Sequence, residues 1–371
     1  MEKLEFLPQD KVIWGRQALS DTMATLGRHG FSRPIVFTVE PLEGLYRRFI
    51  EPFLPDQVGT YLDLPPHVPD FAVEGGLKAC VARGAGSIVA LGGGSVLDAA
   101  KAVSHFHKIK HGRFLPIVAL PTTLSGSEFS HYFGVTETTE PVKFKRSYAV
   151  RETAPKLVVI DPELVRGTPR GLLLSSAVKG LDHAIEGMRL VGADHPHGIL
   201  AASGVRRFLG VLSRWPERAS TEEALVAGAV TLDDLLQLQL AAWQCYFFPA
   251  SVIYGLSHRI GHILGGTFGV PHSMTSCITL APVVRACAGF YGDKLRIFSE
   301  PQAQHPAAAL AGEIATTVKR LGLPTRLRDL GLERYQLPTL LALLVENYPE
   351  EVKDLGDGAE EKLFELVQGI W

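Results

Sequence analysis

Three histidines fall within fifteen residues, His258, His262 and His272, and a fourth, His183, lies in Lys179-Gly180-Leu181-Asp182-His183-Ala184-Ile185-Glu186. His258 and His262 are four apart, so a helix puts both on one face. Imidazoles grouped in this way hold a metal ion or pass protons near neutral pH. The spacing imitates the H-E-x-x-H of zinc peptidases, but Arg259 stands where their general-base glutamate would be. That chemistry is therefore excluded. A single histidine is more often packed or exposed than functional; the grouping is what points to a shared site.

A second chemistry is written in Leu91-Gly92-Gly93-Gly94-Ser95, which follows an apolar run and opens a helical stretch through Asp98 and Lys101. Successive glycines let the backbone approach a ligand, and the N–H groups of a helix start attract phosphate oxygens. The alternative is a tight strand-to-helix turn with no ligand. The loop is not G-x-G-x-x-G, so an ordinary Rossmann fingerprint is absent. Pro121-Thr122-Thr123-Leu124-Ser125-Gly126-Ser127-Glu128 also follows an apolar run. Hydroxyls at a strand's carboxyl end suit a phosphate or a nicotinamide amide, or else cap a helix.

These loops need a parallel sheet behind them. Pro34 to Thr38, Ser87 to Leu91, Pro116 to Leu120 and Leu157 to Ile160 read as buried parallel strands. Amphipathic stretches from Ala72 to Arg83 and Val96 to Phe106 separate them. The alternation predicts a doubly wound α/β domain over residues 1–162, to which Tyr132 to Val135 and Val142 to Tyr148 add a β-hairpin. Beyond Asp161-Pro162 the pattern is helical, as in Glu222 to Cys245 and Ala307 to Leu321, and predicts an all-helical domain over 163–371. With 371 residues, two domains are the natural division.

The charge balance, 37 basic against 39 acidic residues, gives no electrostatic footprint for nucleic acid or an acidic membrane. No apolar run approaches the roughly 18 residues of a membrane span, and the first residues lack the order of a signal peptide. Cys80, Cys245, Cys277 and Cys287 are far apart, which argues against a structural zinc site or a disulfide framework. The expectation is a soluble protein of a reducing compartment, the cytoplasm.

The glycine loop with Asp98 and Lys101, the Pro121-Thr122-Thr123 loop with Gly126-Ser127-Glu128, Asp161-Pro162, His183-Ala184-Ile185-Glu186 and the His258/His262/His272 array occur together in one order. In this the chain resembles the iron-containing (group III) alcohol dehydrogenase family, with the dehydroquinate synthase-like fold. Leu264-Gly265-Gly266-Thr267-Phe268-Gly269-Val270-Pro271-His272 is most similar to the maleylacetate reductase branch. The resemblance implies NAD(H) or NADP(H) in a cleft between two domains, a small-molecule carbonyl substrate and a homodimer. By motif position it assigns Gly92, Gly93, Gly94, Ser95 and Asp98 to the pyrophosphate region. Thr122, Thr123, Ser127 and Lys143 go to the ribose and nicotinamide. NAD-preferring members carry an aspartate after the Thr38 position; here Val39 and then Glu40 follow, and the cofactor form stays open.

Metal-dependent members carry an aspartate four residues before the first histidine ligand. Here that position is Lys179, with His183, His258 and His272 at the histidine positions. A lysine repels a divalent cation and ligates only when deprotonated. The expectation is a metal-independent enzyme in which Lys179, His183, His258, His262 and His272 are catalytic. Lys179, His258 and His272 stabilise negative charge, and His262 donates a proton; an inert Lys179–Asp182 pair is the plainer reading of the lysine. Trp243, Tyr246, Phe247 and Phe248 before the array are either core or an apolar substrate pocket. The rival functions are a Zn- or Fe-dependent alcohol dehydrogenase, a non-redox lyase or cyclase using the same cleft, and a nucleotide-binding protein without turnover.

Overall fold

The structure, a computed structural model, describes residues 4–138, 144–192, 194–299 and 303–371. It forms two compact units, one of residues 4–168 with 248–250, the other of 169–247 with 251–371 among the described residues.

Among its described residues the first unit has eight strands, β1 (Lys11–Trp14), β2 (Pro34–Phe37), β3 (Gly59–Tyr61), β4 (Ser87–Gly92), β5 (Ile117–Pro121), β6 (Tyr132–Glu137), β7 (Phe144–Ala149) and β8 (Leu157–Ile160). Six make a sheet in the order β1-β8-β5-β4-β2-β3, every neighbouring pair parallel. Alternate residues leave opposite faces. Val36, Val89, Leu91, Val118, Leu120, Leu157 and Val159 pack with Leu19, Met23 and Ile50 in one core. Phe37 turns the other way: a Cβ on Gly76, in the Asp70–Ala82 helix, would lie 3.2 Å from its ring and 3.0 Å from Val103 of the Gly94–His111 helix. Helices thus cover both faces, as a doubly wound sheet requires.

The four strands expected from sequence are the inner ones. β1 and β3, which no expectation covered, are its outer strands. They are short, partly exposed and interrupted by Lys11, Trp14 or Gly59, so they lack the continuous apolar signature. The hairpin β6-β7 is antiparallel, as expected, and forms a two-stranded sheet of its own. Its turn, with Val142 and Lys143, lies outside the described residues.

From Arg170 onward the described elements are helices. The expected single stretch from Glu222 to Cys245 is two helices, Thr221–Val226 and Leu232–Cys245. Gly228 at φ +66° and a capping box between Thr231 and Asp234 restart the chain there. No single helix among the described residues is long and apolar enough to cross a membrane. All four cysteines are free and buried.

Asp161, at the end of β8, ties the sheet to two helix starts. Its Oδ1 accepts from Glu163 N–H at 3.0 Å and its Oδ2 from Leu19 N–H at 3.0 Å. Removing a cap and orphaning a buried N–H should cost about 2–4 kcal/mol. Asp161→Ala should therefore lower the urea midpoint at an unchanged m-value; a midpoint equal to wild type would show that neither bond matters.

Candidate active site

Two loops at the carboxyl ends of β4 and β5 meet closely. A Cβ on Gly92 would fall 2.5 Å from Val96 Cγ2, and one on Gly93 would fall 2.8 Å from Thr123 Cγ2. Both positions need glycine for close approach. Gly93 precedes the Gly94–His111 helix without any side-chain cap, so the first turn at Gly94 and Ser95 is left for another acceptor. Thr122 N–H donates to Gly92 O at 3.1 Å, binding the loops together. Thr122 and Thr123 are buried, while Ser95, Asp98 and Ser127 are half-buried. The Ser127 hydroxyl donates to Asp98 Oδ1 at 3.0 Å, so these two face each other. Lys143 lies outside the described residues. Glu40 is exposed beyond β2.

In the helical unit three helices bring the remaining residues together. The Arg170–Glu186 helix carries Lys179, Asp182, His183 and Glu186; Leu256–Phe268 carries His258 and His262; His272 begins His272–Ala286. Gly261 permits the approach of the last two, since a Cβ there would lie 2.7 Å from Thr275 Oγ1. Each of His258, His262 and His272 offers one nitrogen within 4.8 Å of the others, close enough to share an ion. His183 is beside this trio, its ring 5.4 Å from that of His258 and stacked at 4.0 Å on Tyr246.

Lys179 is 1% exposed. Its Nζ donates to Asp182 Oδ2 at 2.7 Å and sits 3.0 Å from His258 Nδ1. Spacing i, i+3 puts lysine and aspartate on one helix face. Asp182 Oδ1 accepts from Ser257 Oγ at 2.7 Å, which in turn meets Thr279 Oγ1 at 2.8 Å. Burial by itself raises the Asp182 carboxyl, but the Lys179 charge and the hydrogen bonds from Lys179 and Ser257 outweigh it and its pKa is lowered. Burial and then the Lys179 charge hold His183 and His258 well below the usual imidazole range, so both are neutral at pH 7. Glu186 accepts from Tyr291 Oη at 2.9 Å and from His258 N–H at 3.3 Å. Burial and the nearby Asp182 push it up to about 8.

Sequence reasoning named the lysine and the four histidines but gave no role to Ser257, Tyr254 or Glu186. Tyr254 stacks on His258 with ring centroids 4.7 Å apart. Glu186 was visible inside the His183-Ala184-Ile185-Glu186 segment; nothing in the spacing marked Tyr254 or Ser257. The aromatic run divides. Tyr246 is buried against His183, Trp243 stacks on Phe247 at 5.6 Å, and Phe248 packs on Phe6 in the first unit.

A parallel sheet with a glycine-started helix, followed by helices that gather histidines, defines an oxidoreductase of the dehydrogenase type. The iron-containing alcohol dehydrogenase model matches residues 8–162, and the Fe-containing alcohol dehydrogenase C-terminal model matches 240–353. The chain belongs to the iron-containing alcohol dehydrogenase family, on its maleylacetate reductase branch. It is 28% identical to a maleylacetate reductase of Pseudomonas aeruginosa over 340 residues, 91% of this chain and 90% of that one. The crystal structure of maleylacetate reductase from Rhizobium sp. strain MTP-10005 superposes with a TM-score of 0.80 at 22% identity, covering 100% and 98% of the chains. Sulfoacetaldehyde reductase from Bifidobacterium kashiwanohense, solved with NAD+, gives 0.84 at 20% identity, covering 100% and 99%.

The buried pair makes a stability prediction. Removing one partner of a buried ion pair costs about 3–5 kcal/mol, whereas neutralising both is far milder. Lys179→Met should be strongly destabilised in thermal unfolding, and Lys179→Met/Asp182→Asn should recover most of the loss. A single variant as stable as wild type would contradict the pairing.

Proposed function

We propose that this chain is an NAD(P)H-dependent reductase of a carbonyl or enoate substrate, similar to maleylacetate reductases, and that it works without a metal. The observation that carries the second half is the Lys179 ammonium, 3.0 Å from His258 Nδ1. A lysine that donates there uses the Nδ1 lone pair, and the neutral ring then keeps its proton on Nε2. Asp182 Oδ2 lies 3.4 Å from the same nitrogen, a longer contact than the lysine's, and with Lys179 as the donor His258 offers a cation no lone pair. A positive charge already sits beside the array, and it opposes a second one. The donor set therefore fits a divalent metal poorly, although His258, His262 and His272 are near enough to share one.

When bound, NAD(P)H supplies a hydride from the nicotinamide C4 to the electrophilic carbon, and the bonding pair of that carbon moves to the substrate oxygen or the conjugated carbon. The uncapped helix start at Gly94 and Ser95 would hold the pyrophosphate, a reading supported by the NAD+ complex of the sulfoacetaldehyde reductase of this fold. Lys179 Nζ lies in a water-poor setting beside the array, where a positive charge stabilises developing negative charge strongly. His258, fixed by Lys179 and Glu186, offers its Nε2–H to the substrate oxygen. His262, its ring 4.6 Å from that of His258, delivers the proton that completes the reduction. Asp182, 2.7 Å from Nζ, pairs with Lys179 and places it.

The histidine trio also supports one other reading, a Zn- or Fe-dependent alcohol dehydrogenase. Metal content and chelator sensitivity separate the two. The metal-free reading expects substoichiometric Fe and Zn in purified protein, with NAD(P)H oxidation on a panel of keto acids and enoates unchanged after chelation. Lys179→Asp should gain metal binding and lose the chelator-resistant turnover by about a hundredfold or more, the scale of one removed electrostatic stabiliser. Stoichiometric metal required for turnover in wild type would overturn the reading.

A further inference from the structure

A second buried lysine lies behind the glycine loop, and the hydride chemistry does not use it. Lys101, on the Gly94–His111 helix, is 0% exposed. Its Nζ donates to Ser127 O at 2.7 Å, Ser127 Oγ at 3.1 Å and Tyr132 O at 3.0 Å. All three ammonium hydrogens are therefore engaged. One turn earlier on the helix, Asp98 accepts from Ser127 Oγ at 3.0 Å and from Gly134 N–H at 3.2 Å, and its Oδ1 is 3.9 Å from Lys101 Nζ.

These hydrogen bonds end on Ser127, in the hydroxyl loop, and on Tyr132 and Gly134 just after it. That loop is held at its other end by Thr122 N–H on Gly92 O and by Thr168 Oγ1, which donates to Thr122 O at 2.6 Å. The helix whose first turn faces the phosphate position thus also grips the neighbouring loop. Helix packing alone would be served by an apolar side chain; a buried ammonium is costly unless its bonds are needed. We propose that Lys101 is a positioning residue for the dinucleotide: through Ser127 and Tyr132 it holds the 122–127 loop against the glycine loop in the conformation that binds nucleotide. This rests on the NAD(P)H reading above.

The charge state of Lys101 gives the clamp a signature. Burial lowers its pKa to about 8, against the raising effect of Asp98 and Glu128. The other titratable groups around it are Glu128, which burial pushes up to about 7, and His131, which burial lowers to about 4. Above about pH 8 the amine has two N–H groups for three acceptors and no charge to set against Asp98. Nucleotide affinity is therefore full below that pH and falls as pH rises through it, whereas an ordinary lysine changes only above about 10.

The test is fluorescence titration of NADH and NADPH into wild type, Lys101→Met and Glu128→Gln from about pH 6.5 to about pH 9.5. Hydrogen exchange of residues 122–134 without nucleotide accompanies it. Wild-type affinity should fall about tenfold across the range, the worth of one charge-assisted hydrogen bond. Lys101→Met should bind at least about tenfold more weakly at pH 7 and show no step, with faster exchange in 122–134, while Glu128→Gln keeps the step. Wild-type-like binding by Lys101→Met, a step that survives in it, or a step lost in Glu128→Gln would each overturn the proposal. The wild-type profile and Glu128→Gln decide the matter if Lys101→Met does not fold. Failure of wild type to bind either nucleotide, with exchange still accelerated in Lys101→Met, would sink the NAD(P)H reading and leave the clamp standing. Unchanged exchange would remove the clamp itself.

Discussion

An ammonium group cannot stay charged in a protein interior without a partner, and Lys179 is 1% exposed. Much of the helical unit's centre follows from that. Asp182, three residues on, supplies the opposite charge and must itself be satisfied, which enlists Ser257 and then Thr279. Ser257 precedes His258, so the same bond that satisfies the aspartate pins the start of the histidine-bearing helix. Glu186, one turn past Asp182, fixes that helix a second time through His258 N–H. A Cβ on Gly255 would come 2.8 Å from its carboxylate, so glycine there is a condition of the contact. His258 is thereby held with Nδ1 toward Lys179 and Asp182.

The two units use the same device. In each, a helix carries a lysine and an aspartate three residues apart, Asp98 with Lys101 and Lys179 with Asp182. In each, the lysine is buried and its hydrogen bonds reach another segment: the loop after β5 in one case, His258 in the other. Charge inside the protein serves here to fix geometry more than to add stability, because a buried pair gains little over an apolar one. On this account one lysine sets where the nucleotide lies and the other sets the charge that the substrate meets.

How much of this was legible depended on whether the physics was local. The inner strands show themselves because burial on both faces demands continuous apolar runs; β1 and β3, at the edges, meet no such demand and were invisible. The glycine loop was readable because close approach permits no other residue at Gly92 and Gly93. Lys179 was conspicuous as a lysine where metal-dependent members have a ligand, and its pairing with Asp182 is a matter of helical spacing. Ser257 and Tyr254 were not readable, since their contacts with Asp182 and His258 exist only after helices distant in sequence pack. Lys101 had been one motif letter among several; its three acceptors lie 26 and 31 residues away. The single helix expected over residues 222–245 failed because Gly228 and the Thr231 capping box outweigh a continuous apolar pattern.

The central claim is that a lysine ammonium, and no metal, supplies the positive charge at the histidine array. The most direct measurement is 15N NMR of the His258 imidazole in the nucleotide-bound enzyme, before and after zinc is added. The account predicts an unprotonated, hydrogen-bond-accepting Nδ1, a protonated Nε2, and neither resonance moved by zinc. A proton on Nδ1, or an Nε2 resonance that shifts to a metal-bound position, would contradict it.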